Sequence, residues 1–490
     1  MWPLRFTVFC SGAAVMIVEL VGSRLLAPYV GTSLIVWTVI IGVILAALSF
    51  GYWFGGRYAD AHPTVQKLGM ICSLAGVFIA ALIWLNIFIA PISSFLISAF
   101  SLGGAAFIIS IVLFVIPSIL LGAVSPYALR LSLKETKNSG TMAGQLSALS
   151  TVGSILGTFA AGFILIPQLG SFKSLVLVSL VLIFCGLMLL KTKRVFTVFL
   201  LLCVSGYFVS TSKDLFFPSK LVFAEYESAY NRLFLANQVD GATKQETINL
   251  MSGPHLSQSA RFKNNDDLVF EYTKFFRLAN YLNLKIQKAL MIGGGAYSVP
   301  KDFIKSHDLA KIDVVEIDRL YTKIAQQYFG LEDDSRMRIF HQDGRTFLQN
   351  SNERYDAIFI DAFNNAGSVP FHLATKEAVQ EVYDHLADDG VVIVNLVAAL
   401  SGQSSKFMSS EYSTYASVFE HVAIFPLDGV DSEGIQNIML VASKKDLWPK
   451  EEINSKEFND FMLKRYYYVS DVKVLTDDWA PVDYFLSGLY

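Results

Sequence analysis

The first 212 residues are filled with apolar stretches about 20 residues long, and that pattern decides what the chain can become. A bilayer's hydrocarbon core is about 30 Å thick, which a helix crosses in roughly 20 residues. Seven stretches meet that length, at 4–27, 33–54, 67–89, 104–126, 145–167, 172–190 and 195–212, and predict a multi-pass helical membrane domain over 1–212. The seventh is the shortest. Between the third and fourth, APISSFLISAFSLGG (90–104) is too short to span and reads as interfacial or re-entrant. The N-terminal stretch is longer than a signal-peptide core and carries Glu19 and Arg24, so it reads as a first span rather than a cleaved leader.

Only 17% of the residues are charged, against about 25% in an ordinary soluble domain, and most of that charge comes after residue 212. The chain therefore divides into a membrane half and an aqueous half. Its net charge of -3 gives no reason to expect a nucleic acid partner. Cys10, Cys72, Cys185 and Cys203 all fall in apolar segments, and no CxxC, HExxH or histidine cluster exists, so no metal site is expected. Positive charge sets orientation. Arg5, Arg57, Lys67, Arg130, Lys134, Lys137, Lys191, Lys193 and Arg194 fall on alternate loops, with Lys173 opposite them. This predicts a cell (inner) membrane protein with a cytoplasmic N-terminus, and seven spans put the aqueous half outside the cytoplasm. Gly153, Gly157 and Ala161 recur every fourth residue, a spacing that serves either packing within the bundle or a homodimer seam. Glu19 and Arg24 are costly in lipid, and belong either to a buried network or to a substrate path.

After Lys213 the pattern changes to short β-like segments, KLVFAEY, NRLFLANQV and ETINLMS, which with a lead-in helix form a small element over 213–285. From 286 to 490, apolar runs alternate with helical stretches: KALMIGGG, KIDVVEID, MRIFHQDG, YDAIFIDA and GVVIVNL, then HVAIFPL and QNIMLVAS. Continuous apolar strands separated by amphipathic helices predict a parallel sheet covered on both faces, a Rossmann-like α/β domain of the methyltransferase type. Such sheets bind ligands at the carboxyl ends of their strands. Strand one ends in Gly293, Gly294 and Gly295, strand two in Glu316, strand three in Asp343 and Gly344, and strand four in Asp361. Glycines let a ligand approach the backbone, and an acid about twenty residues on commonly accepts ribose hydroxyls. No lysine of the P-loop kind follows the glycines, so a nucleoside without phosphates fits better.

At GGGAYSVP, VVEID, QDGRTFL, YDAIFIDAF, VPFHLATKEAV, DGVVIVNL and the late LTDDWAPVDYF, the chain resembles the spermidine synthases. ELVGSRLLAPYVG and FGYWFGGRYAD extend the resemblance to the branch fused to a membrane domain. The resemblance implies that an aminopropyl group moves from decarboxylated S-adenosylmethionine to a small-molecule amine. It implies that Gly293 and Gly295 line the cofactor loop, Glu316 holds the ribose, Asp343 with Gly344 meets the adenine, and Asp361 deprotonates the amine. Tyr230 and Tyr272 match tyrosines of the substrate pocket more loosely. Two positions depart from the pattern. Ala296 stands where the family's glycine loop has an acid for the cofactor's ammonium, and Asn364 stands where a second acid holds a diamine. Those departures keep two alternatives open: methyl or other alkyl transfer from S-adenosylmethionine itself, and a non-catalytic nucleoside-binding module regulating the membrane domain.

Overall fold

A computed structural model describes residues 2–133, 139–190, 221–253, 256–283, 285–362, 370–402, 405–430, 432, 434–470 and 472–486. The chain divides into two compact units, Met1–Arg232 and Leu233–Tyr490.

The first unit is helical: α1 (Trp2–Val30), α2 (Leu34–Ala61), α3 (Val65–Ser132), α4 (Ser139–Ala160), α5 (Ile166–Leu169) and α6 (Ser171–Leu190). A π-helical turn over Ala161–Leu165 joins α4 to α5. Among the described residues, six helical segments are long and apolar enough to cross a membrane. The expected seventh span, at 195–212, lies outside the described residues. The piece at 90–104, expected to be interfacial or re-entrant, is helical with a break inside it. Val65–Ser132 runs as one helix broken at Ser101, whose φ of 64° is left-handed and interrupts the α geometry, and the apolar spans within it are Val65–Leu85 and Phe95–Ser132.

Close backbone contact holds these helices together. A Cβ on Gly12 would lie 2.2 Å from the carbonyl oxygen of Ser150, and one on Gly153 would lie 2.1 Å from that of Phe9, so α1 and α4 touch along their backbones. The Gly153–Gly157 spacing is thus used for packing within the chain. Hydroxyls reinforce it: Ser154 donates to the Gly12 carbonyl at 3.1 Å, and Ser179 of α6 donates to that of Gly76 at 2.7 Å. At the ends of α2 and α3, Asp60 and Arg130 pair at 2.8 Å. This unit closes with strand β1 (Val222–Glu227) and the first residue of β2 (Arg232–Val239). The Glu227 carboxylate accepts the N–H of Ser171 at 2.9 Å and the Ser171 hydroxyl, capping the start of α6.

In the second unit, β2, β3 (Glu246–Gly253) and β4 (Leu256–Phe262) pair antiparallel. Helices α7 (Glu271–Phe275) and α8 (Ala279–Leu282) lead into a seven-stranded sheet. Its strands are β5 (Lys288–Ile292), β6 (Lys311–Val315), β7 (Met337–Phe340), β8 (Tyr355–Ile360), β9 (Leu386–Ala398), β10 (His421–Pro426) and β11 (Gln436–Ser443). They lie in the order β10-β11-β9-β8-β5-β6-β7, parallel through β5 to β9, with β10 and β11 antiparallel at one edge. Helices α9 (Ser298–Ser306), α10 (Arg319–Tyr328), α11 (Gly344–Asn350) and α12 (Lys376–His385) connect the strands, and α13 (Lys406–Ala416) follows β9. Alternate strand residues serve opposite faces. Leu290, Ile292, Ile358, Ile360, Val392 and Val394 pack with Phe347, Val379 and Phe407 on one side. On the other, Phe359 meets Phe276 and Phe303 edge-on. Both faces are buried, so the strands read as unbroken apolar runs.

Candidate functional site

The carboxyl ends of β5, β6, β7 and β8 gather most of the residues singled out from sequence. Asp361 continues β8 and donates its N–H to the Ile292 carbonyl at the end of β5 (2.9 Å). The chain then turns at Gly293, whose φ of 90° suits glycine, and a Cβ there would come within 2.2 Å of the Asp361 carbonyl oxygen. Gly295 is also left-handed, at φ 51°, and so is Tyr297, at φ 61°. Tyr297 is held there by full burial and by a 2.6 Å bond between its hydroxyl and that of Thr322.

Glu316, at the end of β6, organises this turn. Its Oε2 accepts the N–H groups of Gly294 (2.9 Å) and Gly295 (3.2 Å), and its Oε1 accepts that of Asp318 (2.9 Å). Burial pushes the carboxyl up to about 7, against the lowering effect of those three donors. A carboxylate has about four lone-pair sites, so Oε1 keeps capacity for one more donor. At the end of β7, Asp343 caps α11 by accepting the Thr346 N–H at 2.9 Å, and Gly344 presses the helix start against Ile292. Asp343 Oδ2 also lies 2.9 Å from His372 Nε2. Burial raises the Asp343 carboxyl, but the Thr346 N–H and His372 outweigh it and hold it below its ordinary value.

Asp361 is half-buried, and burial lifts its carboxyl to about 6, opposed by bonds from Asn395 and Tyr272. Asn395 of β9 donates to Asp361 Oδ1 at 2.9 Å. The hydroxyl of Tyr272, on α7, has one proton shared between that carboxylate and the Gln258 carbonyl, 3.2 Å away. Burial, then Asp361, keep Tyr272 well above its usual value and so neutral. The departure at Ala296 leaves a small, buried apolar side chain in the glycine loop, and its N–H donates to Ser259 Oγ at 3.2 Å.

The site therefore assembles Gly293, Gly295, Glu316, Asp343, Gly344, Tyr272 and Asp361. Tyr230 belongs to the first unit, in the turn between β1 and β2, and is 51% exposed. Asn364 lies outside the described residues. Sequence reasoning missed Gln258 and Ser259, because β4 (LSQSARF) is too polar to announce a strand. It also missed His372, Asn395 and Asn437. Asn395 left a signal, being a lone amide inside the apolar run VVIVNLV.

A seven-stranded sheet of this order, with a glycine turn after its first parallel strand and acids at the next three strand ends, is an α/β domain of the Rossmann-like methyltransferase type. The spermine/spermidine synthase domain matches residues 276–429. The polyamine aminopropyltransferase of Streptococcus pneumoniae serotype 4 is 30% identical over 226 residues, 44% of this chain and 75% of that protein. That of Vibrio vulnificus is 26% identical over 243 residues, covering 46% and 79%. Among solved structures, a probable spermidine synthase from Corynebacterium glutamicum is 22% identical with a TM-score of 0.41, covering 54% of this chain and 94% of that one. The chain belongs to the spermine/spermidine synthase family, with a helical unit ahead of the family domain.

Proposed function

We propose that this is a membrane-embedded aminopropyltransferase that moves the aminopropyl group of decarboxylated S-adenosylmethionine to a small amine. The observation that carries it is Asp361: a half-buried carboxylate beside the glycine turn, with one oxygen bound by Asn395 and no basic side chain acting on it among the described residues. An amine attacks carbon only when unprotonated. In this scheme the amine nitrogen bonds to the aminopropyl CH2 attached to the sulfonium, and the C–S bond breaks. The electron pair stays on the neutral thioether, and Asp361 takes the amine's proton. With a carboxyl near 6, Asp361 is ionised at neutral pH. Glu316 would accept a ribose hydroxyl through Oε1, and Asp343 the adenine amino group. Gly293 and Gly295 let the nucleoside lie against the backbone. Orientation on this rigid sheet edge supplies much of the remaining rate.

Ala296 favours a second reading, alkyl transfer from S-adenosylmethionine itself, since no acid at that position would repel the cofactor's carboxylate. Calorimetry on the full chain, comparing the two sulfonium compounds, separates them, with mass spectrometry of the amine product. The first reading expects the decarboxylated form to bind tighter and a mass gain of one aminopropyl group. A preference for S-adenosylmethionine with methylated product establishes the second.

The catalytic unit is proposed to face away from the cytoplasm. Alternating spans put the start of α6 on the face where α1 ends, and Glu227 meets that start at Ser171. The far end of α6, Leu190, is about 30 Å away along a 20-residue helix. Strand β1, which carries Glu227, thus lies toward the face opposite the N-terminus. A single cysteine introduced into the second unit of a cysteine-free variant should react with a membrane-impermeant thiol reagent on intact cells. Labelling only after lysis would reverse this orientation.

A further inference from the structure

Asp361 ends a chain of amide hydrogen bonds that crosses the sheet sideways. Asn437 on β11 donates Nδ2 to Asn395 Oδ1 at 2.9 Å, and Asn395 on β9 donates Nδ2 to Asp361 Oδ1 at 2.9 Å. We propose that Asn437 is a positioning residue for the transfer reaction, fixing which end of the Asn395 amide faces Asp361 and hence which part of the carboxylate stays open to the amine. The inference deepens the proposed function and rests on Asp361 being the base.

The register builds the chain. Ile360 of β8 lies opposite Val394 of β9, so Asp361 and Asn395 stand side by side one residue further on. Asn437 lies opposite Val397, two residues beyond Asn395 on the same face of β9. That is a diagonal pair, within reach of polar side chains. Asn395 is 4% exposed and flanked by Val394 and Leu396, themselves buried. A buried amide is tolerated when both its ends are bonded, and here both are.

An asparagine amide is nearly symmetric in shape but opposite in chemistry at its two ends. Turned by half a rotation, Asn395 would set its Oδ1 against the Asp361 carboxylate, two acceptors facing each other. The same turn would set its NH2 against the NH2 of Asn437. Asn437, by offering a donor, holds the carbonyl toward β11 and the NH2 toward Asp361. Oδ1 of Asp361 is then committed to Asn395, and the lone pairs that Tyr272 does not engage take the amine's proton. The groups facing Asp361 are Tyr272, titratable but kept neutral, and Asn395. Among the described residues no lysine, arginine or histidine acts on it. Its ionisation is thus a balance of burial against two hydrogen bonds, one of them controlled from β11.

A structural role for Asn437 would lower stability, or activity at every pH alike. A positioning role moves the pH at which activity is lost on the acid side, because a carboxylate that loses a donor holds its proton more tightly. The test uses the full chain as wild type, Asn437→Leu and Asn437→Asp, with kcat/KM for the amine measured from pH 5 to 9 and melting curves to check folding. For Asn437→Leu the acid limb should rise by about one pH unit, about a tenfold loss at pH 5.5 that recovers by pH 8.5. Asn437→Asp, which puts an acceptor against the Asn395 carbonyl and reverses the amide, should shift it at least as far, and carries the test alone if the leucine variant does not fold. A wild-type acid limb with a uniformly lower plateau, or an unchanged profile, overturns the positioning role while leaving Asp361 as base. Absence of transfer by the wild type at every pH overturns the base assignment, and the positioning role with it.

Discussion

Glu411 sits in the middle of α13, 2% exposed, and makes no hydrogen bond or ion pair among the described residues. Burial alone pushes its carboxyl well above the ordinary range. The unfolded chain would hold this group near its usual value of about 4.3. Since the folded value is the higher one, the folded state binds the extra proton between the two values, and stability falls as pH rises through that window. The slope is about 1.4 kcal/mol per pH unit, starting at the unfolded value and ending at the folded one. Below the window both states are protonated and the titration contributes nothing. An unbonded buried carboxyl is still unfavourable there, by about 1–3 kcal/mol. Glu411→Met keeps the volume and removes both effects. It should therefore stabilise the second unit at pH 5, and stabilise it more at pH 8. In a domain of this size each 1 kcal/mol moves the melting temperature by about 2–4 °C. Melting of wild type and variant in the same detergent at the two pH values measures both quantities. A gain of equal size at pH 5 and pH 8 would refute the buried neutral carboxyl, and a loss at pH 5 would mean that Glu411 is hydrogen-bonded.

Two further outcomes follow from the same geometry. Glu316→Ala removes the acceptor for three backbone donors and should weaken binding of the sulfonium nucleoside by about 1–3 kcal/mol in calorimetry; unchanged affinity would detach Glu316 from the nucleoside site. Gly153→Leu drives a side chain into the Phe9 backbone and should destabilise the helical unit by about 1–3 kcal/mol or more, whereas Gly144→Leu on the same helix, with nothing within 4 Å of its Cβ position, should be near neutral in thermal unfolding.

The seven strands of the large sheet were legible because both of its faces are buried, which forces apolar residues at consecutive positions such as Val391 to Val394. Strand ends were legible for the complementary reason: Glu316, Asp343 and Asp361 are acids where an apolar run stops. Strand β4 escaped because Ser257, Gln258 and Ser259 interrupt it with polar side chains, and two of those residues face the glycine turn and Tyr272. The Asn437–Asn395–Asp361 chain links strands far apart in sequence, and only the register of β8, β9 and β11 brings its members together. The break at Ser101 falls within the stretch 90–104 that the sequence marks as too short to span, but its position was not legible, since serine carries no preference for a left-handed φ.

The cap that Glu227 places on Ser171 has a consequence for the order in which the protein is made. The two residues are 56 positions apart, so the first turn of α6 leaves the ribosome well before its partner. At about 5–20 residues per second, Glu227 follows on the order of 3–10 s later. During that interval the leading N–H groups of α6 have only water or the insertion machinery to bond with. The helical unit is completed by a residue delivered from beyond its last described helix, so truncation after Leu190 would leave the opening turn of α6 without its carboxylate, and prone to fray.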